Sequence, residues 1–198
     1  MNKSIELGKS QIESLMNGST SLIVPIDINK FIDLEIREDM ISYETKTPDD
    51  EHISGYFTNE YILEFIKYAS SLQAGDKDVF VKEEFDQKEM MPYPAYKADF
   101  EPTGTILDDI PWRPASQITK EQSRFSIDIE DARVVRVQDI EYYDGFGISC
   151  PCLSEFLIWF NKLMEEYNEG VKYEDSPYVF LYDVKVTTKE FYKETKDK

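Results

Sequence analysis

Trp112-Arg113-Pro114-Ala115-Ser116-Gln117 leads into a long alternating run from Arg124 to Val137. Within that run Phe125, Ile127 and Ile129 fall on one side, and Ser126, Asp128 and Glu130 on the other. A period of two marks a half-buried β-strand. A second run, Tyr178 to Thr187, sets Phe180, Tyr182, Val184 and Val186 against Val179, Leu181, Asp183 and Lys185, and reads as the last strand. Asp78 to Phe85 reads as another, with Val79, Val81, Glu83 and Phe85 on the same side. That placement puts a carboxylate in line with apolar neighbours.

Helices lie between these strands. Ser10 to Gly18 reads as a short one, with Ser10 and Glu13 at capping-box spacing and Gly18 as its stop. Ile12, Leu15 and Met16 form its apolar face. Thr58 is placed to cap a second helix running to about Leu72, with Tyr61, Ile62, Phe65, Ile66 and Ala69 on one side. Ser154 to Tyr167 is the third, with Phe156, Leu157, Phe160, Leu163, Met164 and Tyr167 as its stripe and Gly170 after it. The stripe reads as core packing. Leu22 to Ile26 is an apolar run ended near Pro25, and reads as a first strand or its edge. Ile32, Leu34 and Ile36, then Ile41 and Tyr43, suggest a hairpin, with Thr45 to Glu51 as a loop tip. Gln87 to Pro111 holds four of the nine prolines and reads as an extended excursion. The charged tail from Thr188 is expected to fray. With more strands than helices and no regular βαβ alternation, the pattern favours α+β, or a small barrel with appended helices.

The 198 residues suit one domain, and 41% hydrophobic residues suffice for a core. The net charge of −18 repels a phosphate backbone, so non-specific nucleic-acid binding is not expected. A local basic pocket or a basic protein partner is compatible with it. No apolar run approaches the roughly 18 residues a membrane helix needs. The segment Met1 to Glu6 lacks the apolar core of a signal peptide, which points to the cytoplasm. Cys150 and Cys152 are too close to close a useful loop and read as reduced thiols. With one histidine in the chain, no metal site is expected. That histidine, in Asp49-Asp50-Glu51-His52, reads as part of a solvated loop rather than a triad. No phosphate-binding or dinucleotide fingerprint occurs, and no cofactor is expected.

The order of segments carries a resemblance. Val79-Phe80-Val81-Lys82-Glu83 is followed by Tyr96-Lys97-Ala98-Asp99, Trp112-Arg113-Pro114, Ser123-Arg124-Phe125 and Val135-Arg136-Val137-Gln138-Asp139-Ile140. Glycines at 145 and 147, a helix with Trp159, and Ser176-Pro177-Tyr178-Val179-Phe180 complete the series. This resembles the ASCH family, PUA-like proteins common in bacteriophages and prophages. Its phage members carry a Gly-Arg-Lys-Thr-Gln-Thr-Arg-Arg turn, a Trp-Val-Arg-Glu strand, a Trp-Lys-Pro-Ser-Ile-His-Met-Pro loop and a Val-Glu-Arg-Leu-Gln-Asp-Ile segment. The resemblance spans nearly the whole chain except residues 27–57, which read as an insertion.

The resemblance implies a PUA-like small β-barrel flanked by helices, with a cleft for a nucleobase, a nucleotide or an RNA element. A bacterial branch hydrolyses acetylcytidine, using a lysine and a threonine of the turn and a glutamate of the later strand. Here the lysine position holds Thr20 and the threonine position Ile23. The two arginines fall on Val24 and Pro25, the glutamate on Glu83, and the loop histidine on Gln117. Thr20 and Glu83 are therefore the catalytic candidates. Trp112, Arg113, Gln117, Tyr96 and Arg124 are the ligand-binding candidates. Amide hydrolysis needs an activated nucleophile, a proton shuttle and an oxyanion donor, and the sequence places no lysine or histidine beside Glu83. Glu83 reads either as a base raised by burial or as a carboxylate paired with Arg113 or Arg124. Trp112 reads either as a base-stacking platform or as a loop anchor.

Three functions follow as expectations. The first is ligand binding in a barrel cleft without the family's catalysis. The second is an amidohydrolase acting on a modified cytidine. The third is an acidic protein that mimics nucleic acid towards a basic partner.

Overall fold

A computed structural model describes residues 3–26, 31, 33–37, 40–46, 50–58, 61–87, 93–100, 110–140, 153–167 and 172–190. Expectations for Ile32, the side chain of Ile62, Gly145, Gly147, Cys150, Cys152, Gly170 and the tail beyond 190 lie outside the described residues. The architecture is mixed α+β. The strands are β1 (Ser4–Glu6), β2 (Ser21–Pro25), β3 (Asp33–Ile36), β4 (Met40–Lys46), β5 (His52–Thr58), β6 (Val79–Lys82), β7 (Phe85–Asp86), β8 (Ala95–Tyr96), β9 (Phe125–Arg136) and β10 (Tyr178–Thr188). The helices are α1 (Lys9–Met16), α2 (Ile62–Ala69) and α3 (Leu153–Glu166). None of the described helices is long and apolar enough to cross a membrane.

The main sheet has five strands in the order β1-β6-β9-β10-β2. β1 and β6 run parallel, and the other neighbours run antiparallel. Among the described residues its ladder stays open, with β1 and β2 at its ends. Pro25 is tolerated because it ends the edge strand β2.

The central pair β9–β10 carries a bulge. Val184 faces Ile129 and Asp183 faces Asp131, which leaves Glu130 as the extra residue. A bulge shifts the side-chain phase by one residue. Phe125, Ile127 and Ile129 are buried before it, and Ala132 is buried on the same side after it. The alternation from Arg124 to Val137 is thus one strand in two phases.

The sheet buries both faces. Ile127, Ile129, Phe180, Tyr182 and Val184 join the larger core with Ile12 and Leu15 of α1 and Phe65 and Ile66 of α2. Val179, Leu181 and Ile23 face the other way, against Phe156, Phe160, Leu163 and Met164 of α3. β10 is therefore apolar on both sides along its first half, as a strand covered on both faces must be.

Residues 27–57 were read as an insertion with one hairpin. Their described part forms most of a three-stranded antiparallel sheet, β3-β4-β5. β5 occupies residues expected to be loop and helix start: His52 opens it and Thr58 closes it instead of capping α2. Thr45, placed in the expected loop tip, is a buried residue of β4. His52 Nδ1 lies 2.5 Å from Glu44 Oε1 of the neighbouring strand. Tyr43 and Phe57 stack at 5.4 Å, and Phe57 meets Phe65 of α2 at 5.7 Å. Tyr61, expected on the apolar face of α2, is exposed just ahead of it.

Two other expectations change. The strand from Asp78 to Phe85 divides into β6 and β7, with Glu83 and Glu84 between them. The capping box at Ser10 does not form. Gly8 is the N-cap of α1, and Ser10 lies inside the helix. The stop at Gly18 does form: at φ +89° its N–H bonds Leu15 O and the Ser19 N–H bonds Ser14 O. Those two bonds make a Schellman end, where glycine avoids the Cβ penalty.

Candidate functional site

The break between β6 and β7 drops Glu83 into the interior. Arg124, the residue before β9, reaches it with two parallel bonds: Nε donates to Oε1 at 2.8 Å and Nη2 to Oε2 at 2.6 Å. Its Nη1 donates to Asp99 Oδ1 at 2.6 Å. Glu83 is 3% exposed and Arg124 fully buried. The guanidinium lies 4.4 Å from the Tyr96 ring centroid and 5.1 Å from that of Phe125. Tyr96 donates its hydroxyl to Gln122 O at 2.5 Å.

Burial pushes the Glu83 carboxyl up, and the Arg124 hydrogen bonds and charge pull it back. Burial acts to lower the Arg124 pKa, but Glu83 and Asp99 outweigh it and the net direction is up. Arginine stays charged, so the pair is a fork-to-fork ion pair whose donors and acceptors satisfy each other.

Glu83 is thus a paired carboxylate that burial also raises, and its partner is Arg124, not Arg113. Arg113 is exposed; its backbone bridges Phe85, N–H to Phe85 O at 2.7 Å, and its guanidinium sits 5.9 Å from the Phe85 ring. Tyr96 and Arg124, expected to touch a ligand, are closed inside the fold. Trp112 is half-buried, with its ring 5.5 Å from that of Phe100, as a loop anchor would be. Gln117 is exposed at the end of a 3₁₀ turn, Ala115–Gln117. Thr20, the other catalytic candidate, is exposed, and its carbonyl accepts the Val184 N–H at 2.7 Å. Thr20 and Glu83 do not share a site.

A cavity of about 610 Å³ opens beside the Glu83 pair. Glu6, Leu7, Gly8 and Lys9, where β1 passes into α1, form one side, with Ile12 behind them. Glu83, Glu84, Lys97, Ala98 and Ala115 also line it, and Glu166 and Tyr167 enter from the end of α3. Lys97 is held by Glu84 at 2.6 Å, and Lys9 donates to Phe100 O at 2.9 Å.

Glu166 has a defined task. Both its oxygens accept the Ser10 N–H at 3.1 Å, and Oε1 accepts the Ser10 hydroxyl at 2.9 Å. It thus supplies from α3 the cap that α1 lacks in its own sequence, at the end where a carboxylate is favoured. Gly8 makes room: a Cβ there would crowd the Glu166 carboxylate, 3.1 Å from its Cδ and 3.2 Å from its Cβ. Gly8→Ala is expected to cost about 1–2 kcal/mol by expelling this cap. In a Glu166→Ala background the same change should cost less, because the cap it expels is already gone, which a double-mutant cycle by urea denaturation measures.

The Tyr167 hydroxyl is buried and has no hydrogen-bond partner among the described residues. Burial, then the charges of Glu166 and Glu6, push its pKa up, so it stays protonated. Sequence reasoning placed Tyr167 in the core stripe and missed Glu6, Gly8, Lys9, Lys97 and Glu166. The local signals were a glycine opening a helix and a Glu-Tyr pair closing one. Their meeting across the fold has no sequence signature.

Among the described residues no three His, Cys, Asp or Glu side chains gather where they could hold a metal ion. In comparisons with family models, with curated proteins and with solved structures, nothing matches this chain.

Proposed function

We propose that this chain is an ASCH-like, PUA-like module that holds a nucleobase-sized ligand in the cavity beside Glu83, without the hydrolysis known in one branch of that family. The observation that carries this reading is the cavity itself. Its volume of about 610 Å³ falls within the range of small-molecule sites. Its lining pairs apolar patches, Leu7, Ile12, Ala98 and Ala115, with a few polar groups at fixed positions. The barrel half of the reading draws support from the long β9–β10 pair and its bulge, the device by which sheets curve.

The non-catalytic half draws support from Glu83 and Thr20. Both Glu83 oxygens accept from Arg124, whose bonds and charge make the carboxylate a weaker base. Thr20, the only hydroxyl the resemblance supplies, is not in the cavity wall.

Thermal denaturation of the full chain against a panel of nucleobases, nucleosides and nucleotides tests the binding half. A bound ligand at a hundred times its Kd should stabilise by about 2.7 kcal/mol. A panel that leaves the melting temperature unmoved overturns the reading. N4-acetylcytidine incubated with the protein is expected to stay intact, and release of cytidine would overturn the non-catalytic half.

A further inference from the structure

A sheet edge presents a row of unpaired N–H and C=O groups that will pair with another extended chain unless something blunts it. Three edges of this fold are blunted. β1 is three residues long and ends in Glu6. β2 ends in Pro25, and the Gln11 side chain of α1 donates to its Ile23 carbonyl. β3 carries exposed Asp33 and Glu35.

β5 has none of these devices. His52-Ile53-Ser54-Gly55-Tyr56-Phe57-Thr58 contains no proline, lysine or acid, and it pairs with β4 over its seven residues without a bulge. On its other side it bonds nothing among the described residues. Ile53 is 44% exposed and Tyr56 70%.

The neighbouring hairpin fixes which groups are free. The Arg37 N–H donates to Met40 O, so these two close the β3–β4 hairpin as a hydrogen-bonded pair. Such pairs alternate along an antiparallel ladder, so Ser42 and Glu44 bond β3, and Ile41, Tyr43 and Thr45 bond β5. Their partners in β5 are Phe57, Gly55 and Ile53. The N–H and C=O groups of His52, Ser54 and Tyr56 therefore point out from the edge. Gly55 leaves a gap in the side chains there, and ring carbons of Tyr43 lie 2.9 Å from where its Cβ would stand. Tyr43 thus reaches across the strand between Ile53 and Phe57, which share that face. An apolar side chain of an added strand would pack on these three.

Charge decides what kind of strand. From Thr47 to Ile66 the chain holds Asp49, Asp50, Glu51, Glu60 and Glu64 and no lysine or arginine. Lys46 answers Asp50 and Lys67 answers Glu64, each at 2.6 Å, and the excess stays acidic within a chain of net charge −18. A second copy brings the same sign. Paired antiparallel with itself, β5 would bring the acid that precedes one strand towards the acid that follows the other, and like charges set opposite repel. A basic chain is drawn to the same edge.

We propose that β5 is a docking edge that takes an extended segment of a basic protein as a fourth strand of the small sheet, with an apolar residue against Tyr43 and lysines or arginines at both ends. The interaction is independent of the cavity and of any ligand there.

Fluorescence anisotropy of the full chain with the labelled peptide Lys-Arg-Thr-Val-Thr-Val-Thr-Arg-Lys tests it. The peptide should bind, and a version with glutamate at its four basic positions should bind at least about tenfold more weakly. Ser54→Pro removes an outward donor that β4 does not use, so it should melt within a few degrees of the parent and weaken the peptide at least about tenfold. Ser54→Ala should keep parental affinity. In the parent, bound peptide should slow amide exchange at Ser54 and Tyr56 more than at Ile53 and Phe57, which β4 already holds. No binding, equal binding of the acidic version, or a folded Ser54→Pro with parental affinity overturns the proposal. An exchange pattern without slowing at Ser54 and Tyr56 overturns it even where Ser54→Pro does not fold. A parent that sediments as a dimer while Ser54→Pro sediments as a monomer overturns it in favour of a second copy on this edge.

Discussion

Arg124→Ala is expected to lower the stability of the fold by about 3–5 kcal/mol, the cost of breaking a buried ion pair from one side. For a chain of this size that is a fall in melting temperature of roughly 6–20 °C. The size follows from what is left behind. Glu83 would keep its place at 3% exposure with two unanswered oxygens, and Asp99 would lose its own cation at 2.6 Å. Tyr96 and Phe125 would lose the guanidinium packed on their rings.

The loss should depend on pH with a defined sign. Burial already raises the Glu83 carboxyl above its ordinary 4.5, and without Arg124 only the raising influences remain. A carboxyl whose folded pKa is raised contributes stability fully below its unfolded pKa, and that contribution is lost as pH rises through the folded value. The deficit of Arg124→Ala should therefore be smaller at pH 5 than at pH 8, as measured by urea denaturation at both. Glu83→Leu combined with Arg124→Leu removes both charges together, and it should lie much closer to the parent than Arg124→Ala does. A deficit that is flat across this range would mean that Glu83 is not the group left unpaired.

The same ion pair shows how far the sequence could be read. Glu83 stood out because it interrupted an apolar face, and Arg124 because it preceded the cleanest strand. Both anomalies were real, and each resolved the other. Periodicity also found β9, β10 and most of the buried stripes of the helices, Tyr61 of α2 excepted, because burial on one face leaves a local period. It failed where long-range packing overrides local pattern. β5 carries Gly55 and a mixed polar surface, and it is a strand because β4 pairs with it throughout its length. Ser10 looked like a cap by spacing, yet its partner, Glu166, lies 156 residues away. The cavity belongs wholly to this second class: its walls come from five separated segments, and only the finished fold brings them together.

Phe160→Ala should rank beside Arg124→Ala, at about 3–5 kcal/mol, the usual cost of emptying a large buried aromatic site. Phe160 is fully buried in the smaller core, 6.2 Å from both Phe156 and Tyr173 by ring centroids. It pins α3 to the face of the sheet that carries Val179 and Leu181. Ile158→Ala, two residues away but 71% exposed, should change stability by no more than about 0.5 kcal/mol. The contrast separates packing from helix propensity, since both variants place alanine in the same helix. The cavity makes the prediction more than a packing test. α3 ends in Glu166 and Tyr167, so its seating on the sheet sets where the cap of α1 and the unpartnered hydroxyl stand. Amide hydrogen exchange at Ser10 reads that directly, because its N–H is held by Glu166. In Phe160→Ala the Ser10 amide should exchange faster than global unfolding alone requires, and in Ile158→Ala at the parental rate. If Ser10 stays protected to the full extent of the remaining stability, α3 is held by Glu166 and by Trp159, whose Nε1 donates to Ser10 O at 3.3 Å, rather than by Phe160.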